Sequence, residues 1–295
     1  MKTPAATPEN PPHAAAAGAS RPRVVLGLET AGETCGAAVF ALDPLRRDGA
    51  GRTLAHAFVR RPNQHAARLA PLVAHVLDGA GATPADVVAV ALSAGPGSYT
   101  GLRIGASLAK GLCEGTGAAL VAVPSLDALA EAARPAVLAG ERLAVAFPSR
   151  KGEVYAALYL RTESDLGVRP DIDLMSPHDA ADDAPLDPEI AALLFDPLPG
   201  YDVLRGATPL AVEDADAWAD EGRGPLVLAG DGAVRLVGPL GPDALLPETV
   251  AAPSAEIVAR MGARRFAAGL VEDVAAWAPL YLKAWGGSTG GAAPS

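Results

Sequence analysis

The chain has 295 residues, of which half are apolar and a fifth are charged, and its formal net charge is −10. This length and composition suit a globular protein with one sizeable core or two smaller ones. No apolar run reaches the ~20 residues of a membrane-spanning helix, and none near the start could form a signal-peptide core, so we expect a soluble, cytoplasmic protein.

The chain is predicted to open with a tail and a hairpin. Residues 1–22 have the proline and alanine bias of a disordered tail. Two apolar runs follow at 24–28 and 35–42, and the polar turn between them predicts an antiparallel hairpin. Cys35 and Cys113 fit no zinc-binding or Cys-x-x-Cys spacing, so we expect two reduced thiols.

An amphipathic helix and a buried strand are predicted next. Asn63 is expected to cap the helix, and its apolar residues recur at i, i+3, i+4, i+7 and i+8. These residues are Leu69, Leu72, Val73, Val76 and Leu77. Residues 83–86 are predicted to form a helix cap and first turn, and residues 87–92 a buried strand. This alternation of helix and strand predicts an α/β domain.

Glycines crowd the stretch SAGPGSYTGLRIGASLAKGL at 93–112. A glycine-rich turn entering a helix can hold phosphate, but no Gly-Lys-Ser/Thr follows, and the G-x-G-x-x-x-G spacing misses the dinucleotide fingerprint by one residue. Gly101, Gly105 and Ala109 recur every four positions, so one helical face carries almost no side chain. Each glycine lowers the stability of the helix by about 1 kcal/mol relative to alanine, and close packing against the glycines would offset this loss. We interpret this face as a contact surface, packed either inside the domain or against a partner.

The second half repeats the plan of the first. Residues 125–133 predict a linking helix capped by Ser125, and 142–160 predict strand, polar turn and strand again. The sequence PLVLAGDGA at 225–233 predicts a later strand and turn. A late helix is predicted at 254–270, with Ile257, Val258 and Met261 on its apolar face. This repetition indicates two similar α/β lobes.

Acidic residues are concentrated between positions 161 and 221, where the sequence has sixteen Asp and Glu residues and only three arginines. The segment is also rich in proline and alanine and offers few apolar residues to bury. We expect a solvated insertion that would repel a phosphate backbone rather than bind one. The last residues, 286–295, have the glycine and serine bias of a second disordered tail.

Five stretches in this order resemble the TsaB family of tRNA modification proteins. They are VVLGLET, RPNQHAARLAPLV, SAGPGSYTGLRIGASLAKGL, SRKGEVYAALYL and PLYLK, and they extend from position 24 to 283. The most specific is GPGSYTGLRIG at 95–105. Two departures from the family are Glu29, where aspartate is more common, and the long acidic insertion.

The resemblance implies a two-lobed, actin-like and Hsp70-like ATPase fold of the ASKHA, RNase H-like class, with duplicated α/β lobes. We assign residues 23–123 to the first lobe. Residues 124–285 form the second lobe, which includes the acidic insertion within 161–221. The C-terminal helical part is expected either to stay with the second lobe or to return to the first.

The resemblance also implies the function. Such a protein is a non-catalytic scaffold that pairs with TsaD, which transfers a threonylcarbamoyl group to the adenosine beside the tRNA anticodon; it is thus a subunit of a tRNA N6-adenosine threonylcarbamoyltransferase. TsaE would join the assembly, tRNA would be met only through the complex, and the chain would self-pair when TsaD is absent. Family usage places the partner interface on the glycine-rich helix. We predict its residues to be Gly101, Leu102, Gly105, Leu108 and Ala109.

Catalytic residues are not apparent in the sequence. His65 and His75 are ten residues apart and form no HxxxH or HExxH motif, so no metal site is expected. Glu29 stands where actin-like ATPases keep a magnesium-linked acid, but we interpret it as a solvated turn residue or a helix-end partner. The loop AGDGA at 229–233 is too short for a convincing second phosphate loop.

Two other functions stay open at this point. One is a free-standing ATPase or small-molecule kinase of the same fold, and the other is a homodimeric binding module. We predict no cofactor for the chain itself; the alternative is ATP or ADP at the junction with TsaD.

Overall fold

The computed structural model describes residues 22–61, 63–162, 198, 200–220, 224–247 and 252–281. The predicted tails, apart from residue 22, lie outside these residues, as does the end of the second lobe at 282–285. Most of the acidic insertion, including 163–197, also lies outside them, so its solvated character stays a prediction.

Strands and helices alternate along the described residues. The strands are β1 (Val24–Glu29), β2 (Thr34–Leu42), β3 (Gly51–Arg60), β4 (Val87–Ser93), β5 (Ala119–Val123), β6 (Arg142–Pro148), β7 (Glu153–Arg161), β8 (Tyr201–Ala211), β9 (Leu226–Ala229) and β10 (Ala244–Leu245). The α-helices are α1 (His65–Gly79), α2 (Tyr99–Thr116), α3 (Ser125–Ala133), α4 (Ala215–Ala219), α5 (Val237–Leu240) and α6 (Ala255–Ala267).

The first sheet is mixed and has the strand order β3-β2-β1-β4-β5. Strand β1 is antiparallel to β2, as the predicted hairpin requires, and parallel to β4 on its other side. All six residues of β1 are buried, because helices cover both faces of the sheet.

The second sheet has the order β10-β9-β6-β7-β8 and repeats the pairing of the first. Strand β6 is antiparallel to β7 and parallel to β9, as β1 is to β2 and β4. The prediction of two duplicated α/β lobes is therefore confirmed.

Three packed layers fill the space on and between the sheets. On β1, Val24, Leu26 and Leu28 pack under α1 and α2, whereas Val25 faces the opposite side. That opposite side forms one central core with α3, α6 and the inner face of the second sheet. The outer face of the second sheet packs against α4 and α5. The alternation follows from the two-residue period of a strand.

Two local predictions need correction. Helix α1 begins at His65, and Gln64 rather than Asn63 occupies the cap position; Asn63 has a positive φ of 59°. Helix α3 begins at Ser125 itself after Pro124, and the Ser125 hydroxyl instead accepts a hydrogen bond from the backbone N–H of Gly95 at 2.9 Å.

Helix α6 packs on the first sheet, across β1, β2 and β4. The lobe boundaries themselves stay predictions.

Candidate functional site

A groove runs between α1 and α2 on the outer surface of the first lobe. Its lining mixes apolar and polar side chains from the two helices: Ala66, Leu69, Ala70, Tyr99, Thr100, Arg103, Ile104, Ser107 and Leu108. Tyr99, Thr100, Arg103 and Ser107 are exposed. The groove is therefore open to solvent along its α2 side.

Local sequence fixes how α2 presents this face. The Ser98 hydroxyl caps the helix by accepting a hydrogen bond from the N–H of Gly101 at 3.2 Å. From there Arg103 and Ser107 follow at a spacing of four, which keeps them on one side of the helix. Gly117 ends the helix with a left-handed φ of 76°.

An aromatic and cationic cluster stands at the start of α2. The rings of Tyr99 and Tyr281 lie 4.9 Å apart between centroids. Arg103 donates a hydrogen bond to the Tyr99 hydroxyl at 2.9 Å, and its guanidinium carbon lies 5.3 Å from the Tyr99 ring centroid. Tyr99 is 40% exposed and Tyr281 is 38% exposed. Partly exposed tyrosine and arginine are the residue types that anchor protein interfaces.

Tyr281 reaches this cluster because the C-terminal segment runs back along α2. Glu272 forms an isolated antiparallel bridge with Leu120. The ammonium group of Lys110 donates a hydrogen bond to the carbonyl of Ala275 at 3.2 Å. The N–H of Leu280 then donates to the carbonyl of Ala94 at 2.7 Å. The C-terminal end of the described residues thus contributes to the same surface as the start of α2.

The structure separates the five predicted interface residues. Leu108 lines the groove and is half-buried. Gly101, Leu102, Gly105 and Ala109 are buried inside the chain, so the prediction that they face a partner is wrong. Gly101 packs against the carbonyl of Thr30 and Gly105 against its hydroxyl, at the end of β1. The small face exists so that α2 can lie close to its own sheet. That α2 takes part in pairing stays a prediction.

Glu29 ends β1 and is fully buried, so its interpretation as a solvated residue is also wrong. One carboxylate oxygen accepts a hydrogen bond from the N–H of Ala31 at 2.6 Å, and the other accepts from the Ser93 hydroxyl. Burial raises the pKa of the Glu29 carboxyl from 4.5 to about 7, although the hydrogen bonds from Ser93, Ala31 and Gly32 act in the opposite direction. The side chain holds its own turn in place.

Beside Glu29, the turn between β1 and β2 packs against the second lobe. A Cβ atom built on Gly32 would lie 3.1 Å from a carboxylate oxygen of Asp231 and 3.3 Å from the ring of Phe147. Asp231, from the AGDGA loop, accepts a weak hydrogen bond from Glu33 N–H at 3.3 Å and lies 3.4 Å from the guanidinium of Arg60. This loop thus packs against the first lobe, and its carboxylate would repel a phosphate group in the same place.

Metal ligation finds no support in the described ranges, which contain no group of three or more His, Cys, Asp or Glu residues arranged to hold an ion. His65 is buried with its Nε2 3.3 Å from the carbonyl of Thr34, whereas His75 is exposed on α1. Both cysteines are buried, and burial raises the pKa of each thiol to about 11. Neither thiol is therefore activated for nucleophilic chemistry.

Sequence reasoning missed the outward residues of α2. One helical spacing, i, i+4 and i+8, relates Tyr99, Arg103 and Ser107 and is visible in the sequence. A tyrosine beside an arginine on one helical face is typical of a protein interface. The contribution of Tyr281 could not be read, because nothing in the local pattern brings position 281 to position 99.

Comparisons with known proteins agree with this architecture. Residues 61–192 match the model of a family described as TsaD, tRNA N6-adenosine threonylcarbamoyltransferase. The TsaB protein named for tRNA threonylcarbamoyladenosine biosynthesis in Escherichia coli is 30% identical over 88% of this chain and 94% of its own length. Its namesake from Bacillus subtilis is 33% identical over 46% of this chain and 54% of its own length.

The fold has a close structural counterpart. The structure of YeaZ from Pseudomonas aeruginosa superposes with a TM-score of 0.63 over 88% of this chain and 99% of the other, at 24% identity. Within the described ranges, the structure has no helix that is both long and apolar enough to cross a membrane.

Proposed function

The chain belongs to the TsaB family of tRNA threonylcarbamoyladenosine biosynthesis proteins, and from this membership we propose that it is the scaffold subunit that pairs with TsaD. TsaD performs the transfer of the threonylcarbamoyl group to tRNA, and this chain holds TsaD in its active arrangement. It contributes no catalytic group. The cytoplasm, where tRNA is used, is the proposed place of this work.

The groove between α1 and α2 is the observation that carries the proposal. Tyr99, Arg103 and Ser107 are exposed there beside half-buried Ile104 and Leu108. Apolar residues surrounded by exposed aromatic and cationic side chains make a surface suited to a second protein. Because TsaD resembles this chain over residues 61–192, the partner is expected to present a similar helix pair. The same surface would allow self-pairing when TsaD is absent.

The rival function, a free-standing ATPase or kinase, requires space for phosphate groups between the lobes. Phe147 and Asp231 fill that space against Gly32, and the carboxyl group of Glu29 is used by its own turn. We therefore propose no cofactor for this chain alone. ATP or ADP, together with TsaE, is proposed to join only at the assembled complex.

Ser107→Arg tests the proposal. The substitution places a long charged side chain in the groove, and since Ser107 is exposed, folding should be spared. Overpacking of an interface typically costs about 1–3 kcal/mol, so affinity for TsaD should fall roughly ten- to hundredfold. Ala217→Arg, which adds the same side chain to an exposed position of α4, is the matched control.

The readouts are titration calorimetry with TsaD, thermal melting and threonylcarbamoyl transfer to a tRNA transcript. The proposal predicts that Ser107→Arg melts like the parent but loses pairing and transfer, whereas Ala217→Arg keeps both. Parental affinity of Ser107→Arg for TsaD would show that the groove is not the pairing surface.

A further inference from the structure

The last described residue, Tyr281, lies beside the groove between α1 and α2. Its ring is 4.9 Å from the ring of Tyr99, which lines the groove. The backbone is held at the same place, since the N–H of Leu280 donates a hydrogen bond to the carbonyl of Ala94 at 2.7 Å. A Cβ atom on Gly95 would stand 2.5 Å from the Leu280 carbonyl, so the segment lies directly on the loop before α2. The chain therefore continues from a fixed point beside the groove.

Two large apolar side chains follow Tyr281 in the sequence. They are Leu282 and Trp285, and both lie within four positions of it. The next six residues, GGSTGG at 286–291, are glycine, serine and threonine and add no large apolar side chain. An indole left in water keeps a large apolar surface uncovered, so a nearby apolar surface would attract it.

Trp285 is within reach of the groove from this fixed point. Four residues span at most about 14 Å when extended. From Tyr99 to Ser107, which also lines the groove, α2 rises about 12 Å. Positions i and i+4 lie on the same side of a strand and on the same side of a helix. In either conformation, the Trp285 side chain would therefore point to the side on which Tyr281 meets α2.

The groove offers a surface that suits an indole ring. Its volume is about 650 Å³, in the range of pockets that hold one small molecule. Ala66 and Ala70, one turn apart on α1, are small and leave room for an incoming ring. Ile104 and Leu108 add larger apolar contacts from α2. Arg103 adds a guanidinium group, which is attracted to the face of an indole.

We infer that residues 282–285 of the same chain occupy the groove, with the indole of Trp285 between α1 and α2. Because the segment is tethered at Tyr281, its effective concentration at the groove is in the millimolar range, far above that of a free peptide. One consequence rests on the proposed function, in which the same groove receives TsaD. TsaD then has to displace residues 282–285, and its apparent affinity is reduced to the fraction of chains whose groove is open.

The fluorescence of Trp285 in the full chain tests the occupancy without TsaD. The spectrum of Trp285→Phe is subtracted from that of the parent, which removes the emission of Trp218 and Trp277. An indole in the groove emits at a shorter wavelength than one in water and is shielded from acrylamide. Ser107→Arg fills the groove and should move this emission to the wavelength of an indole in water. Ala217→Arg, at an exposed position of α4, is the matched control and should leave it unchanged.

Three outcomes would overturn the inference. The first is a parent in which Trp285 emits like an indole in water. The second is a short-wavelength emission that Ser107→Arg leaves unchanged. The third is a short-wavelength emission that disappears on dilution, which would assign the groove to residues 282–285 of a second copy.

A chain truncated after Tyr281 keeps every described contact and tests the consequence for pairing. If the groove is open in about a tenth to a half of the parent chains, the truncated chain should bind TsaD about two- to tenfold more tightly. Trp285→Ala in the full chain should show a gain in the same direction. Equal affinities, together with a short-wavelength emission that Ser107→Arg abolishes, would show that TsaD does not pair through the groove. The proposed use of the groove would then be wrong, and its occupancy by residues 282–285 would stand.

Discussion

Gly105 of α2 lies directly against the hydroxyl group of Thr30, at a distance where a Cβ atom on the glycine would stand 2.5 Å from Thr30 Oγ1. Gly101, one turn earlier, packs in the same way against the Thr30 carbonyl. Because both contacts are inside the chain, substitutions at these glycines act on folding before they act on any partner.

We expect Gly101→Ala to lower the free energy of unfolding by about 3 kcal/mol, since its methyl group would meet a backbone carbonyl that cannot move aside. Gly105→Ala should cost about 1 kcal/mol, because the Thr30 side chain can turn away. Gly111→Ala on the same helix is the control: a Cβ there meets nothing within 4 Å, and the variant should gain up to about 1 kcal/mol. Urea denaturation measures all three. Equal stabilities of Gly101→Ala and Gly111→Ala would contradict the packing.

Glu29→Gln should change the pH dependence of stability. The folded-state pKa of Glu29 is raised from 4.5 to about 7, so the folded protein holds this proton more tightly than the unfolded chain. This tighter binding of the proton stabilises the folded state in full below pH 4.5, and the stabilisation is lost as the pH rises through 7. Glutamine stays neutral and can still accept the hydrogen bond from Ala31.

The free energy of unfolding of Glu29→Gln should therefore rise relative to that of the parent as the pH rises. The change should reach up to about 3 kcal/mol between pH 4.5 and 8, because one pKa unit corresponds to about 1.4 kcal/mol. Chemical denaturation of both proteins at four or five pH values measures the difference. A difference that stays constant across this range would show that Glu29 does not titrate in the folded state as its burial implies.

Arg103→Ala should weaken pairing with TsaD about tenfold, because arginine and tyrosine anchors carry a large share of interface energy. The side chain is exposed and its hydrogen bond to Tyr99 is at the surface, so melting should change little. Arg52→Ala, at an exposed position of β3, serves as the control. Titration calorimetry with TsaD gives the comparison, and equal affinities of the two variants would remove Arg103 from the interface.

The purified chain should neither bind nor hydrolyse ATP at millimolar concentrations with Mg²⁺. Asp231 and Phe147 stand against Gly32 where phosphate groups would need room, and Asp231 adds negative charge. Calorimetry and a phosphate-release assay check this. Turnover that disappears in Asp231→Asn would instead establish an active site between the lobes.

Local periodicity was enough to predict most of the fold. The apolar residues of α1 are on the predicted face, with Leu69, Val73, Val76 and Leu77 buried. The hairpin of β1 and β2 and the helix at 125–133 were also correct. These elements depend on neighbours within a few positions, and the repeated order of strands followed from recognising the hairpin twice.

The site was harder to predict because it depends on distant pairs. The spacing of Gly101 and Gly105 showed that something packs closely on α2, but only the fold shows that it is Thr30. In the same way, the burial of Glu29 depends on Ser93, and the surface at Tyr99 depends on Tyr281. A sequence pattern shows which side chains lie on one face of an element, whereas the tertiary fold determines which residues that face contacts.

The position of α6 on the first sheet sets an order of events during synthesis. The last strand of that sheet ends at Val123, whereas α6 begins only at Ala255. At about 5–20 residues per second, roughly ten seconds of translation separate them. In this interval Val25 and Ala91, which pack with α6 in the central core, have no cover from it. The nascent chain is then most exposed to aggregation, and a fragment that stops before Ala255 keeps that apolar face open permanently.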